Sequence, residues 1–368
     1  MQSLSESIKK IKSVLVSADV ITYEFSSAAG KKFALVYVDG LIDKAQLGEL
    51  VVKPLAGVKN GATAEDVRPI LASPEVKEDD DFSVAVKEIS YGSAALLIDG
   101  EKTFFIIGLT KPPGRAVAEP PTQIAVKGPR EGFTEDIKIN CALVRKRLKS
   151  PDLRLDTVRT GRRSDTAVTI CYLADVCDPA IPEKLKKQIE NTEIDIVADS
   201  SYVGRFVSSR PRSLFKRCAT CEKPDIFCAK ISEGRVGILV DGSPIAITVP
   251  YMLIEDFQSS EDYYISSYRA TILRFLRAVA VVVGMLLPAV YVSAQLFKLQ
   301  LIPLKLLLNI SSSVSGLPLS PGVEMFLTLF VLEVLNEASI RMPKYVGLAI
   351  SIVGALVLGE TAVTAGIV

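Results

Sequence analysis

The sequence predicts a protein of the α+β / α/β class, with two tandem, related α/β domains followed by an α-helical membrane domain. Charged residues make up 23% of the chain, yet its mean hydropathy is +0.32. The high share of charged residues and the positive mean hydropathy are compatible because the charges are concentrated in residues 1–277 and are sparse afterwards. A soluble part therefore precedes a membrane part, and 368 residues suffice for two or three domains with separate cores.

Residues 1–110 form the first predicted domain. Ser3 and Glu6 have the spacing of a capping box, and apolar residues follow at helical intervals, which predicts a helix over 3–15. The periodicities after this helix predict, in order, strands at 20–25 and 33–38, helices at 44–53, 64–71 and 82–89, and a hairpin of 94–98 with 103–109.

Residues 111–127 contain four prolines and no lasting periodicity, which predicts a linker that runs over the surface. Residues 128–260 form the second predicted domain. Its patterns predict, in order, a helix at 133–148, strands at 153–160 and 166–172, a helix at 182–189, a strand at 194–198, and a short helix from Ser200.

A weak internal repeat relates the two domains. YGSAALLIDGEKTFFIIGL from Tyr91 aligns with EGRVGILVDGSPIAITVPY from Glu233, and FALVYVDGLID from Phe33 resembles VTICYLADVCD from Val168. The offsets of 142 and 135 residues indicate two copies of one α/β unit with short insertions. The alternative is that any two hairpins with Asp-Gly turns look alike.

Residues 261–368 form the predicted membrane domain, with spans near 278–297, 323–340 and 345–368. Three arginines directly precede the first span, which places the N-terminal domains in the cytoplasm by the positive-inside rule. Since tryptophan is absent, interfacial anchoring is expected from tyrosines before this span. The basic and aromatic residues in question are Arg269, Arg274, Arg277, Tyr251, Tyr263, Tyr264 and Tyr268.

Small residues recur at every fourth position of the last span, which predicts a face for close helix packing: Gly347, Ser351, Ala355 and Gly359. The alternative is a lone anchor whose glycines have no such role. Carboxylates at membrane depth mark an ion path or polar contacts, and the candidates are Glu333, Glu337 and Glu360. For Glu333 and Glu337, an interfacial helix with its acidic face in solvent is the alternative.

Several classes of function are excluded or disfavoured. The chain has no histidine and no nucleotide-binding or hydrolase motif, which argues against an enzyme and gives no reason to expect a cofactor. Its 43 basic and 42 acidic residues give no support for nucleic-acid binding. Basic clusters at 145–147 and 162–163 indicate either contacts with anionic lipids or an acidic partner, or solvated faces.

The cysteines leave one question open. Cys218, Cys221 and Cys228 could hold zinc if Cys141, Cys171 or Cys177 supplied a fourth ligand. The alternative is a set of ordinary reduced thiols, which is favoured because no secretory signal opens the chain.

From residue 126 onward the sequence resembles the A subunits of GerA-type spore germinant receptors. The resemblance lies in VKGPREGFTEDIKINCALVRKRLKSPDLRL, VRTGRRSDTAVTICYLADVCDP, ISEGRVGILVDGSPIAITVPYML, FQSSEDYY and MPKYVGLAISIVGALVLGETAVTAGIV. The motif residues within it are Gly128, Pro129, Arg130, Glu131, Gly132, Phe133, Gly161, Arg162, Arg163, Ser164, Asp241 and Gly242.

This resemblance implies an integral, multi-pass protein of the spore inner membrane. It implies a transporter-like B subunit that binds the nutrient, a lipoprotein C subunit, self-association, and an oligomeric ion-conducting assembly that triggers germination. Family members continue through further apolar helices, so a C-terminal truncation at Val368 is expected. The alternative function is a transporter or permease component with a large cytoplasmic regulatory region.

Overall fold

The computed structural model describes residues 3–58, 63–110, 123, 128–207, 216–297, 300, 303–314, 319–341, 356 and 360. The chain divides into two compact units, Met1–Ile265 and Ser266–Val368. The first unit holds the α/β architecture, and the second is helical wherever it is described as regular structure.

The first domain of the N-terminal unit is a five-stranded antiparallel sheet in the order β1-β2-β4-β5-β3. A π-helical turn, Gly48–Val52, joins α2 to α3. The elements are α1 Leu4–Val14, β1 Val20–Ser26, β2 Lys32–Val38, α2 Lys44–Leu47, α3 Lys53–Ala56, α4 Ala64–Val67, β3 Val76–Asp79, α5 Phe82–Ser90, β4 Ala94–Ile98 and β5 Phe104–Ile107.

The second domain is a five-stranded antiparallel sheet in the order β6-β7-β9-β10-β8. Two 3₁₀ turns, Leu253–Phe257 and Ser260–Tyr263, follow the sheet. The elements are α6 Ile137–Arg147, β6 Leu153–Thr160, β7 Thr166–Leu173, α7 Ala180–Glu190, α8 Ser200–Val207, β8 Ala219–Cys221, α9 Pro224–Ser232, β9 Val236–Val240 and β10 Ala246–Val249.

The two sheets have the same connectivity, which supports the predicted repeat over a chance match of hairpins. In each domain a helix precedes the first two strands, and a helix and a hairpin complete the sheet. Gly100 and Gly242, which the repeat aligns, turn their hairpins with φ of +83° and +81°. L-residues with a side chain rarely adopt this conformation, so glycine is required at both turns.

Both faces of each sheet are buried. In β2, Phe33 and Leu35 belong to the apolar cluster on one face, whereas Ala34 and Val36 belong to the cluster on the other. The second sheet divides its core in the same way between Cys171 and Ile170 of β7. Central strands therefore read as continuous apolar runs, which is why sequence patterns located them well.

Several sequence-based assignments were wrong. The predicted strand 194–198 is irregular, because the carbonyls of Ile194 and Asp195 accept hydrogen bonds from the 162–164 turn instead of from a neighbouring strand. The predicted helix 64–71 ends at Val67. Strand β3 escaped prediction because Val-Lys-Glu-Asp lacks an apolar alternation. Strand β8 and helix α9 of the second domain were also missed, as was the helix Leu304–Val314.

A buried ion pair joins the two domains. Arg145 of α6 is 1% exposed and donates from Nε and Nη2 to the carboxylate of Asp19, at 2.8 Å each. Next to it, the Ser17 hydroxyl accepts from the Leu155 backbone N–H at 2.9 Å. The predicted exposure of Arg145 to lipid or solvent was therefore wrong, since its guanidinium forms part of an internal contact.

The C-terminal unit contains α10 Ser267–Phe297, α11 Leu304–Val314 and α12 Pro321–Arg341. Within the described residues, α10 alone has the length and apolarity to cross a membrane. Helix α12 packs against α10 but carries three carboxylates. The predicted span 345–368 lies outside the described residues except for Leu356 and Glu360, and the packing residues Gly347, Ser351, Ala355 and Gly359 all lie outside them.

Arg145→Met is expected to lower the free energy of unfolding of residues 1–265 by about 3–5 kcal/mol, because it leaves the carboxylate of Asp19 buried without its cation. The control is Arg159→Met, which removes an ion pair whose side chains are 65% and 68% exposed. That control is expected to cost at most about 1 kcal/mol. Denaturant unfolding measures both, and equal losses would contradict the structural role of Arg145.

Candidate functional site

The family-type segment 128–133 closes one side of the second domain. Gly128 has a φ of +110°, and a Cβ atom built on it would lie 2.6 Å from Cε2 of Tyr264. Tyr264 in turn donates its hydroxyl hydrogen to Oδ2 of Asp225 at 2.7 Å. Glycine at 128 thus leaves room for the tyrosine ring close to the backbone, and this contact connects two motifs that are far apart in sequence.

Glu131 anchors the C-terminal turn of α6. Its two carboxylate oxygens accept from Lys146 at 2.9 Å and from Arg147 at 2.8 Å. The hydrogen bond from Lys146 and the nearby positive charges lower the pKa of Glu131. Lys146 and Arg147, which sequence analysis considered for lipid or partner binding, are therefore engaged inside the protein.

Phe133 and the Asp241-Gly242 turn fix the start of α6. The Phe133 ring packs edge-on against Phe227, with centroids 5.4 Å apart. Gly242 donates its backbone N–H to the carbonyl of Glu135 at 2.8 Å, and Asp241 Oδ1 accepts from the N–H of Ile137 at 3.3 Å. Of the remaining residues between Gly128 and Phe133, Gly132 is buried, Pro129 is half-buried and Arg130 is exposed.

The Gly161–Ser164 motif forms the turn between β6 and β7. The backbone N–H groups of Arg162 and Arg163 donate to the carbonyls of Ile194 and Asp195, at 2.8 and 2.9 Å. The Ser164 hydroxyl accepts from the N–H of Val197 at 3.2 Å. The turn is thus held by backbone contacts, while the two arginine side chains stay exposed at its tip.

Asp199 links this region to the Asp241-Gly242 turn. Its carboxylate accepts hydrogen bonds from the Ser243 hydroxyl and, at 3.0 Å, from the backbone N–H of Ser201. Burial alone would raise the pKa of Asp199, but these hydrogen bonds outweigh it and lower the pKa to about 2. The structure therefore brings three of the predicted motifs into one connected framework.

A cleft of about 670 Å³ lies between α9 and the segment 251–264. Its size falls within the range of small-molecule sites. Tyrosines and charged side chains line it, and the main ones are Tyr251, Tyr263, Tyr264, Asp225, Lys230, Arg235 and Glu255.

Glu255 is the electrostatic centre of this cleft. The Glu255 carboxylate forms ion pairs with Arg235 and, at 2.6 Å, with Lys230. Burial alone would raise the pKa of Glu255, but the hydrogen bond from Lys230 and the neighbouring charges outweigh it and lower the pKa. Lys223, fully buried nearby, has its Nζ 3.5 Å from Oδ2 of Asp225. The charges that line the cleft are therefore largely paired within the protein.

The cysteines show no metal-binding geometry among the described residues, where no three cysteine or acidic side chains converge as ligands. Burial raises the pKa of the Cys221 and Cys228 thiols to about 12 and also raises the pKa of Cys218. These thiols pack in or against the two apolar clusters of the second domain. The arrangement favours protonated thiols over the thiolates that zinc needs.

The candidate membrane carboxylates lie on α12 and beyond. Glu333 and Glu337 are four residues apart on α12, so they share one side of the helix. Glu360 is exposed, and with Leu356 it is one of the two residues of 342–368 that the structure describes. Their roles as an ion path or as polar contacts remain predictions.

Sequence analysis missed the residues that organise the cleft. Asp225, Lys230, Arg235 and Glu255 are separated along the chain and belong to no recognisable motif. The one available signal was the unusual density of tyrosines and carboxylates in 251–264. It indicated interfacial anchoring by Tyr251 and Tyr264, yet both hydroxyls donate to carboxylates of the second domain.

Two antiparallel α/β domains of common topology, followed by a helix that is long and apolar enough to cross a membrane, define the class of protein to which this chain belongs. The family described as Bacillus/Clostridium GerA spore germination protein matches residues 6–368. The chain therefore belongs to this family.

Similar proteins agree with this assignment. Spore germination protein KA of Bacillus subtilis is 31% identical over 100% of this chain and 68% of its own length. Spore germination protein GerLA of Bacillus cereus is 34% identical over 100% of this chain and 76% of its own length. The uncharacterized membrane protein YfkQ of Bacillus subtilis is 31% identical over 95% of this chain and 69% of its own length.

A crystal structure shares the fold. The N-terminal domain of the A subunit of the Bacillus megaterium spore germinant receptor GerK3 matches with a TM-score of 0.54 and 24% identity, over 68% of this chain and 96% of that one. The predicted fold class is confirmed.

Gly128→Ala is expected to destabilise residues 1–265 by about 1 kcal/mol more than Gly30→Ala. Both glycines have positive φ, but a Cβ atom at Gly30 would meet nothing within 4 Å. The extra loss comes from displacing Tyr264 and its hydrogen bond. Denaturant unfolding gives the difference, and adding Tyr264→Ala to Gly128→Ala should then cost little more, since the two changes remove one contact. Equal effects of the two glycine variants would contradict the contact.

Asp199 is expected to make stability depend on acid pH. Its pKa is near 2 in the folded chain and 3.8 ordinarily, so its contribution is complete above pH 3.8 and is lost as pH falls toward 2. Asp199→Asn should flatten the unfolding free energy in this window, measured on residues 1–265. The control is Asp165→Asn, a change to an exposed carboxylate on the β6–β7 turn. An unchanged slope for Asp199→Asn would contradict the assignment.

Proposed function

We propose that this chain is the A-type subunit of a spore germinant receptor. The match of residues 6–368 to the GerA family is the observation that supports this proposal most strongly. Spore germination is in the names of the relatives KA and GerLA, and the GerK3 domain is itself an A subunit of a germinant receptor. The partners would be a transporter-like B subunit that binds the nutrient and a lipoprotein C subunit.

The subunit would be a multi-pass protein of the spore inner membrane, with both α/β domains in the cytoplasm. The long apolar helix α10 supports membrane insertion. Arg269, Arg274 and Arg277 lie in its N-terminal part and favour a cytoplasmic start by the positive-inside rule. The permease alternative is less favoured, because two α/β domains of one topology occupy most of the chain.

Several subunits would assemble into an ion-conducting complex that releases cations early in germination. Glu333 and Glu337 support this role because two carboxylates on one side of an apolar helix are costly in lipid and normally face water or protein. The small residues Gly347, Ser351, Ala355 and Gly359 would form the helix-packing face, and Glu360 would add a polar contact.

Glu333→Gln and Glu337→Gln are expected to reduce cation flux severalfold in liposomes that contain the subunit with its B- and C-type partners. The amide keeps the size of the side chain but removes the charge that attracts cations. The matched control is Glu324→Gln, in the first turn of the same helix. Flux is followed with a potassium-sensitive dye after addition of the nutrient.

If both substitutions leave flux at the unsubstituted level while the complex assembles, Glu333 and Glu337 do not line a path. If Glu324→Gln lowers flux as much as they do, the effect belongs to the general charge of α12 and not to this side of the helix. Either result would contradict the ion-path assignment.

A further inference from the structure

Large apolar side chains are unusually exposed just before the membrane helix. In the described part of the N-terminal unit, twelve large hydrophobic residues are exposed, and five of these lie within 252–264. Met252, Leu253 and Ile254 are consecutive and are 48%, 64% and 56% exposed. Single exposed apolar residues are ordinary, but a contiguous group marks a surface that contacts something apolar.

Hydrogen bonds and ion pairs hold the backbone next to Met252, Leu253 and Ile254 in place. Glu255, the next residue, accepts from the Met252 backbone N–H at 2.8 Å. The same carboxylate is tied to the second domain by its ion pairs with Arg235 and Lys230. Asp256 adds hydrogen bonding from Tyr251 and an ion pair with Lys216 at 3.5 Å. Because these contacts fix the backbone of the turn, its apolar side chains have a defined orientation.

The chain itself indicates what lies nearby. Tyr263 is 63% exposed and lies four residues before Ser267, where α10 begins. Four extended residues reach about 14 Å at most, so the aromatic end of this segment stays close to the start of the membrane helix. Aromatic side chains with polar tips are the residues that favour the boundary between membrane and water.

The first part of α10 has the composition of an interfacial helix. Tyr268 and Phe275 are 78% and 70% exposed, and Arg269, Arg274 and Arg277 alternate with apolar residues over the same turns. Arginines place their charges among headgroups while their stems cover apolar surface. This part of the helix is therefore suited to the headgroup layer, and along the chain it directly follows the segment that carries Tyr263.

We propose that Met252, Leu253 and Ile254 insert into the headgroup layer of the bilayer that α10 crosses, as a second membrane contact of the second domain. The partner is the lipid surface itself. The contact is mainly apolar, because the nearby cation of Lys216 is already paired with Asp256. The proposal depends on α10 crossing a membrane, and it does not depend on the proposed ion conduction.

The test uses the full chain in liposomes, labelled at Leu253→Cys with an environment-sensitive fluorophore. The control is Ile196→Cys, because Ile196 is 56% exposed in the loop that holds the Gly161–Ser164 turn. Background labelling is measured on the unsubstituted chain, in which burial raises the pKa of Cys141, Cys221 and Cys228 to about 12 and slows their reaction. Nitroxide groups on the lipid headgroups and shallow acyl positions serve as quenchers.

The label at residue 253 is expected to be quenched severalfold more strongly than the label at residue 196, with little change when salt is raised or anionic lipid is omitted. Equal quenching at the two positions would overturn the proposal. A second result would also overturn it. If the label at residue 253 is protected from aqueous iodide at high protein density but loses this protection when each vesicle holds a single chain, a second copy of the chain covers the turn, and not lipid. Ile254→Cys repeats the measurement on the same turn in case Leu253→Cys disturbs folding.

This readout requires neither the nutrient nor the partner subunits, so it can fail while the receptor proposal stands. Conversely, loss of the ion-path assignment would leave the lipid contact unaffected.

Discussion

The contact between Arg145 and Asp19 is the interaction on which the arrangement of the N-terminal unit depends. It joins α6, the first helix of the second domain, to the segment just before β1 in the first. A guanidinium that is 1% exposed is tolerated because two parallel hydrogen bonds to the carboxylate offset its desolvation. The two domains, which share one strand order, are therefore also held together by an ion pair to which each domain contributes one residue.

The same helix connects this contact to the candidate site. Lys146 and Arg147, the neighbours of Arg145, hold Glu131, which follows shortly after the Gly128 that accommodates Tyr264. Tyr264 ends the segment that walls the cleft and precedes the membrane helix. The family motifs in the second domain thus hold the segment through which the chain leaves that domain.

The carboxylates of Glu131, Glu255 and Asp199 in the second domain hold neighbouring segments in position through ion pairs and hydrogen bonds. Glu131 and Glu255 each form ion pairs with two cations, and Asp199 accepts hydrogen bonds from three serines, Ser200, Ser201 and Ser243. Such groups have lowered pKa values because their charged forms are the ones that are bound, and none is left as a proton donor near neutral pH.

The sequence by itself determined the fold class, located the long apolar helix α10 and indicated the repeat, because central strands buried on both faces and a long apolar helix leave continuous patterns. It also determined the family, through motifs whose glycines have few substitutes. Only the tertiary structure decided the partners of Arg145, the sites of β3 and β8, and the cleft around Glu255. Edge strands need few apolar residues, and ion pairs join residues that are distant along the chain. Such contacts depend on three-dimensional proximity, which local periodicity does not record.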